Sequence, residues 1–278
     1  MPRQIDTIPQ PNHIKPKKLI VLSASRTGTF ALYRALKQLG FKPLHMVEVL
    51  ESGLTEFNIL NDAIKAEMFH DGKPYGRAEF DKWWADYDVI IEVPFYMLHS
   101  TVKAYPDAKF LLTERDPEKW AKSFAHTVGW VVKRFSTFPL SIFKHFDSMA
   151  YNIAFLVETS LSYYSNGYGL SPIGQKCITE NYIEYIAEVK RIVPPEQLKV
   201  CKLEDGFGWS EICPYLGVPI PDIEWPSRHT PEEFQATTDL SLGHMQYAVT
   251  KRLVGTVSVV LPIVAVGLWY MKAGRLFF

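Results

Sequence analysis

At 278 residues the chain is long enough for one large domain or two small ones, with a substantial buried core. Hydrophobic residues make up 47% and charged residues 22%, which is ordinary for a globular protein. The formal net charge of +0 excludes a general nucleic-acid-binding field, so any anionic ligand has to be held by a local arrangement of charge. Cys177, Cys201 and Cys213 are odd in number and fit no metal spacing. They read as reduced structural residues, and no metal is implied.

Residues 1–17 carry prolines and polar side chains with no apolar core, which predicts an extended arm and excludes a secretory signal or N-terminal anchor. Next come a short apolar run, 19–23 "LIVLS", and a helix over about 29–39 ended by Gly40. A further apolar-periodic segment lies near 57–69, and strand-like runs follow at 88–92 "DVIIE" and 109–113 "KFLLT". Residues 124–165 are rich in Phe, Tyr, Trp and Leu without strand alternation, and read as helices forming a wall or lid. A helical pattern covers 178–193, with Ile178, Tyr182, Tyr185, Ile186, Val189 and Val193 near one face and Pro194-Pro195 as its stop. The last strand-like run is 198–203 "LKVCKL".

Strands separated by helices imply βαβ units, hence an α/β fold of three layers with a mainly parallel sheet. Ligands of such sheets sit at the carboxyl ends of the strands. We expect this domain to occupy 18–240, followed by a linker over 241–252. Residues 253–271, "LVGTVSVVLPIVAVGLWYM", hold no charge and are flanked by Lys251, Arg252, Lys272 and Arg275. As a helix they would run about 28 Å, close to bilayer thickness, with Trp269 and Tyr270 placed as interfacial aromatics. The expectation is a single transmembrane helix acting as a C-terminal tail anchor for a cytosolic body. A buried terminal helix is the alternative.

The strand–loop–helix at 19–36, "LIVLSASRTGTFALYRAL", has the form of a phosphate cradle but lacks the Walker lysine. Ser25, Thr27, Gly28 and Thr29 offer backbone N–H groups and hydroxyls at a helix N-terminus, and Arg26 adds a fork of donors suited to phosphate or sulfate. A plain connector is the other reading. In "LLTERDPEKWAKS", residues 111–123, Arg115 follows a strand, Asp116 can cap, Pro117 fits the first helical position and Glu118 the first turn. Ser123 lies about two helical turns beyond Arg115, so both can converge on one phosphate. A solvated surface arginine remains open.

Four blocks in order over roughly 17–235 resemble the sulfotransferase family: "SASRTGTFALYRALKQLGFKPLHM", "PDAKFLLTERDPEKWAKS", "EDGFGWSEICPYLGVPIP" and "WPSRHTPEEF". The resemblance is strongest to a fungal-type branch of P-loop proteins with "RTGT" loops and "RDPEKW" signatures. It implies transfer of a sulfuryl group from 3′-phosphoadenosine-5′-phosphosulfate (PAPS) to a hydroxyl, and the aromatic-rich wall and membrane tether favour a small, hydrophobic acceptor. It also implies that the loop holds the 5′-phosphosulfate, with Arg26 in place of the family's lysine, and that Arg115 and Ser123 hold the 3′-phosphate. Where many members carry a histidine in an "HLP"-like tripeptide, this chain reads "EVP", making Glu92 the favoured base, and His45, His99 and His126 the others considered. The family's "RKG" segment is missing, and "SRHT", Ser227 to Thr230, is the nearest substitute. Two alternatives stand beside sulfation: a non-sulfating biosynthetic enzyme working by dehydration or cyclisation, and a membrane-anchored binding protein without chemistry.

Overall fold

A computed structural model describes residues 3–227 and 230–274. Five strands form one sheet: β1 (Leu19–Val21), β2 (Pro43–Leu44), β3 (Val89–Ile91), β4 (Phe110–Glu114) and β5 (Leu198–Lys202). Their order is β2-β3-β1-β4-β5 and every pairing is parallel. The helices are α1 (Thr29–Gln38), α2 (Met46–Ser52), α3 (Leu54–Met68), α4 (Arg77–Trp83), α5 (Leu98–Ala104), α6 (Pro117–Phe135), α7 (Leu140–Phe143), α8 (Ser148–Tyr164), α9 (Pro172–Ile192), α10 (Trp209–Leu216) and α11 (Pro231–Gly274). The runs expected as strands coincide with β1, β3, β4 and β5, and the aromatic stretch is α6 to α8. β2, only two residues long, was not foreseen.

Because successive strand residues point to opposite faces, the sheet sorts its apolar side chains into two layers of core. Ile20, Ile90, Phe110 and Leu112 pack with residues of α3, α6 and α9, among them Phe57, Trp120 and Tyr182. Leu19, Val21, Val89, Ile91 and Leu111 pack on the other side with Leu32 and Leu36 of α1 and Ile212 of α10. That is the expected three-layer α/β arrangement. The N-terminal arm is tied down: Ile5 is buried in the first core, and Lys17 Nζ donates to the carbonyls of Lys15, Trp84 and Tyr87, each at 2.7 Å.

α11 starts with a capping box in which Thr230 Oγ1 accepts from Glu233 N–H and Glu233 Oε2 accepts from Thr230 N–H. Residues 241–252, expected as a linker, are helical and continuous with the apolar segment. Leu242 and Val249 are buried against Phe135, Leu140 and Phe143, while Met245 and Leu253 pack at the margin. Arg252 pairs with Asp147 at 3.0 Å. Beyond Leu253, every residue from Val254 to Lys272 is exposed. The helix is long and apolar enough to cross a bilayer.

Candidate active site

From central β1 the chain steps to β3 and β2 on one side and to β4 and β5 on the other, so the sheet's switch point lies at β1. Along the carboxyl edge, in the order β2, β3, β1, β4, the strands are followed by His45, Glu92, the 23–29 loop and Arg115. Residues far apart in sequence thus meet on one edge, with a carboxylate and an imidazole on one flank and guanidinium groups on the other.

The loop is held from beneath. Ser23 Oγ accepts from Thr113 N–H at 2.7 Å, and Thr27 Oγ1, fully buried, donates to Ala24 O at 2.7 Å and meets Thr113 Oγ1 at 2.8 Å. Trp120 Nε1 donates to Ser25 O at 2.8 Å. Arg26 and Gly28 have φ of 68° and 93°, a pair of left-handed turns of the kind that gathers successive N–H groups into an anion-binding concavity. Gly28 is required twice over: its φ is left-handed, and a Cβ would lie 3.0 Å from Leu203 Cδ1 and 3.2 Å from Phe207 Cζ. Gly28 is also the cap of α1, which has neither a side-chain cap nor an acidic residue in its first turn. The N-terminal end of its dipole faces the loop, with the Glu92 carboxylate alongside at Thr29. Since the Thr27 and Thr29 hydroxyls are engaged within the protein, the loop's donors toward a ligand are its backbone N–H groups, the half-buried Ser25 hydroxyl and Arg26.

Arg26 contacts both Ser123 and Arg115. Arg26 Nε donates to Ser123 Oγ at 3.3 Å, and Arg115 donates through its guanidinium to Arg26 O at 3.0 Å. The Arg115 N–H is fixed by Tyr182 Oη at 3.1 Å. Asp116 caps α6 by accepting from Lys119 N–H, and Pro117 takes the first helical position, so the turn carrying Arg115 leads directly into the helix carrying Ser123. Burial, then the charge of Arg115, pulls the Arg26 guanidinium below its ordinary value, while Glu92 opposes both. Phe234 of α11 lies over Arg26, with 5.4 Å between the guanidinium carbon and the ring centroid.

Glu92 sits at the end of β3 with φ 67° and ψ −40°, a left-handed conformation unusual for a carboxylate side chain in a loop this buried. Its Oε2 accepts from Thr29 Oγ1 at 3.1 Å and lies 2.8 Å from His45 Nε2. The imidazole contact is close but poorly aligned, so His45 Nε2 has no well-formed hydrogen bond. Burial pushes the Glu92 carboxyl up, but His45, the Thr29 hydroxyl and the Arg26 charge together hold it below the usual carboxylate range. Glu92 is thus a carboxylate kept ionised, rather than one raised toward neutrality. His45 is fixed from behind: Nδ1 accepts from Val47 N–H at 3.2 Å, and the ring stacks on Tyr33 with centroids 5.1 Å apart. Phe30, edge-on to His45, and buried Tyr96 complete an aromatic surround.

His99 is exposed on α5 and pairs with Glu188 at 3.5 Å, away from the loop. His126 lines a surface cleft of about 650 Å³ between α6 and α9 that includes none of the loop residues. Arg228 and His229 of the "SRHT" segment lie outside the described residues. No cluster of three His, Cys, Asp or Glu is placed to hold a metal among the described residues. Sequence reasoning treated His45 as a rival base and missed its contact with Glu92. The local signal was the His45-x-x-Glu48 spacing, which forms a capping box at α2. Thr113 and Phe234 carried no signal of their own.

A sulfotransferase domain model matches residues 18–234, most of the chain and every strand of the sheet. The chain belongs to the sulfotransferase domain family. Among curated proteins it is similar to Ava biosynthesis cluster protein M of Aspergillus versicolor, 28% identical over 261 residues, which covers 92% of this chain and 97% of that protein. Among solved structures it is similar to a sulfotransferase from Alicyclobacillus acidocaldarius, at 16% identity and a TM-score of 0.43 over 82% of this chain and 92% of that one. A sulfotransferase-like function follows from the family, and the parallel α/β sheet places the 23–29 loop at its switch point.

Proposed function

We propose that this protein transfers a sulfuryl group from PAPS to a hydroxyl of a small, hydrophobic acceptor, on a body held at a membrane by α11. The observation that carries the reading is the convergence of Arg26, Arg115 and Ser123 beside a loop with two left-handed turns. Two guanidinium groups, a serine hydroxyl and a helix N-terminus at one point make a site for a ligand with more than one phosphate-like group. The residues present fit PAPS: the loop N–H groups and Arg26 suit the 5′-phosphosulfate, and Arg115 with Ser123 suits the 3′-phosphate. PAPS, when bound, supplies the sulfuryl group and leaves as the 3′,5′-bisphosphate.

Glu92 takes the acceptor's hydroxyl proton. A carboxylate held ionised is a weak base toward a free alcohol, so the proton moves late, as bond formation to sulfur acidifies the hydroxyl. His45 and Thr29 position it by fixing Oε2. Arg26 and the loop N–H groups stabilise charge growing on the leaving phosphate. The aromatic surround of Phe30, Tyr33 and Tyr96 favours an apolar acceptor. The reading puts the body on the cytosolic side of that membrane.

The test is radiolabelled sulfate transfer from PAPS to a panel of hydrophobic alcohols and phenols by the full-length protein, beside Glu92→Gln. Transfer should fall about 100-fold or more in the variant while bisphosphate binding is retained. Transfer that survives Glu92→Gln would remove Glu92 as the base. Absence of transfer with tight bisphosphate binding would favour a binding role.

A further inference from the structure

The body presents a second, unassigned apolar feature beside the membrane helix. α7 and its flanking turns, residues 136–147, form a short hairpin between α6 and α8 with two dissimilar sides. Leu140 and Phe143 point inward and are buried with Leu242 and Val249 of α11. Along this segment Phe138, Ile142 and Phe146 make a row in sequence of exposed apolar side chains, at 78%, 47% and 71% exposure. Two phenylalanines and an isoleucine in one exposed row are more apolar surface than a soluble face ordinarily leaves uncovered.

Where this row sits decides its partner. α11 leaves the sheet's carboxyl edge at Phe234, passes Arg134 of α6 at Asp239, and makes its last packing against the body at Leu253, next to the Arg252–Asp147 pair. Asp147 caps α8 and ends the hairpin. The hairpin is therefore the part of the body lying beside the point where α11 becomes fully exposed and apolar. Lys251 and Arg252 mark that level on α11, with Lys133 in the last turn of α6 before the hairpin and Lys144 within it, paired with Glu158 at 2.7 Å.

We propose that Phe138, Ile142 and Phe146 form a foot that inserts into the interfacial layer of the lipid bilayer crossed by α11. The proposal rests on α11 spanning that bilayer. Aromatic side chains flanked by basic residues are the composition that favours the headgroup–acyl boundary. With a rigid helix packed on the body, such a foot would fix the tilt of the body over the membrane instead of leaving it to swing about the anchor.

Spin labels decide the matter in the full-length protein with Cys177→Ser, reconstituted in phosphatidylcholine vesicles containing phosphatidylserine. Single cysteines are placed by Phe146→Cys, Ile142→Cys, Leu261→Cys in the apolar segment, and Tyr168→Cys on an exposed turn of the body. Collision with oxygen against a water-soluble nickel chelate reports depth. Labels at 142 and 146 should show a severalfold loss of nickel collision relative to 168, and remain shallower than 261. A lipid-embedded 261 with 142 and 146 as wet as 168 overturns the foot and leaves the anchor standing. A wet 261 overturns the anchor and the foot with it. Dipolar broadening at 146 would show a second copy of the chain on this row, and also overturns the proposal.

Discussion

Arg115→Ala is the sharpest perturbation of the donor site, because residue and ligand can be changed in the same cycle. A guanidinium on a phosphate contributes about 1.5–3 kcal/mol through charge-assisted hydrogen bonds, so the variant should bind 3′,5′-adenosine bisphosphate about 10- to 150-fold more weakly. Arg115 also donates to Arg26 O at 3.0 Å, and losing that bond costs about 0.5–1.5 kcal/mol of stability. In a protein of this size that lowers the melting temperature by only a few degrees, so the variant stays folded for calorimetry at 25 °C. The control ligand is adenosine 5′-phosphate, which lacks the 3′-phosphate. If Arg115 acts on the 3′-phosphate, the variant's affinity for adenosine 5′-phosphate stays within about twofold of wild type. Equal weakening of both ligands would refute the assignment, because Arg115 would then act only by bracing the loop through Arg26. No bisphosphate binding by folded wild type would remove the PAPS reading altogether.

Gly28→Ala forces a left-handed φ on a residue with a Cβ and presses that carbon to 3.0 Å from Leu203, so it should cost about 1–2 kcal/mol and abolish bisphosphate binding, measured by denaturant midpoint and calorimetry. Lys17 supplies the pH dependence: burial lowers its pKa from the ordinary 10.5 to about 8. Between those values the unfolded chain binds more protons than the folded one, so this group makes stability rise with pH across the window, and its burial cost is fully present below pH 8. Denaturant titrations at pH 7.5 and 10 should show wild type gaining on Lys17→Met as pH rises, and a constant difference between the two would exclude Lys17 as the source.

The sheet was legible because β1, β3, β4 and β5 are apolar runs bounded by polar or small residues, a pattern that survives without context. β2 was not, because Pro43-Leu44 has no periodicity to detect and is a strand only by pairing with Val89 and Ile90. Arg26, Arg115 and Ser123 were legible because strand–loop–helix grammar puts loop donors at a carboxyl edge wherever the sheet closes. The Glu92–His45 contact was not: it joins the ends of β3 and β2, and the pairing of those strands is a tertiary fact. The direction of the Glu92 shift was not legible for the same reason, since burial alone raises a carboxyl and only the neighbours reverse it.

The continuity of α11 bears on what the membrane does for the reaction. One helix contributes Phe234 to the surroundings of Arg26 and, from Leu253 onward, the apolar segment. Its internal proline, Pro262, lies beyond that interval, so nothing in the sequence kinks the helix between 234 and 253. At 1.5 Å per residue these points are about 28 Å apart, well outside the headgroup layer. An acceptor dissolved in the bilayer would have to leave it completely to reach Glu92. On the proposed function, an anchor of this length would act by keeping the body close to wherever the acceptor is released, not by opening the site onto lipid. Its direct influence on the donor loop is bounded by the Phe234–Arg26 contact, about 0.5–2 kcal/mol. That is enough to tune donor affinity several-fold and too little to switch the site on or off.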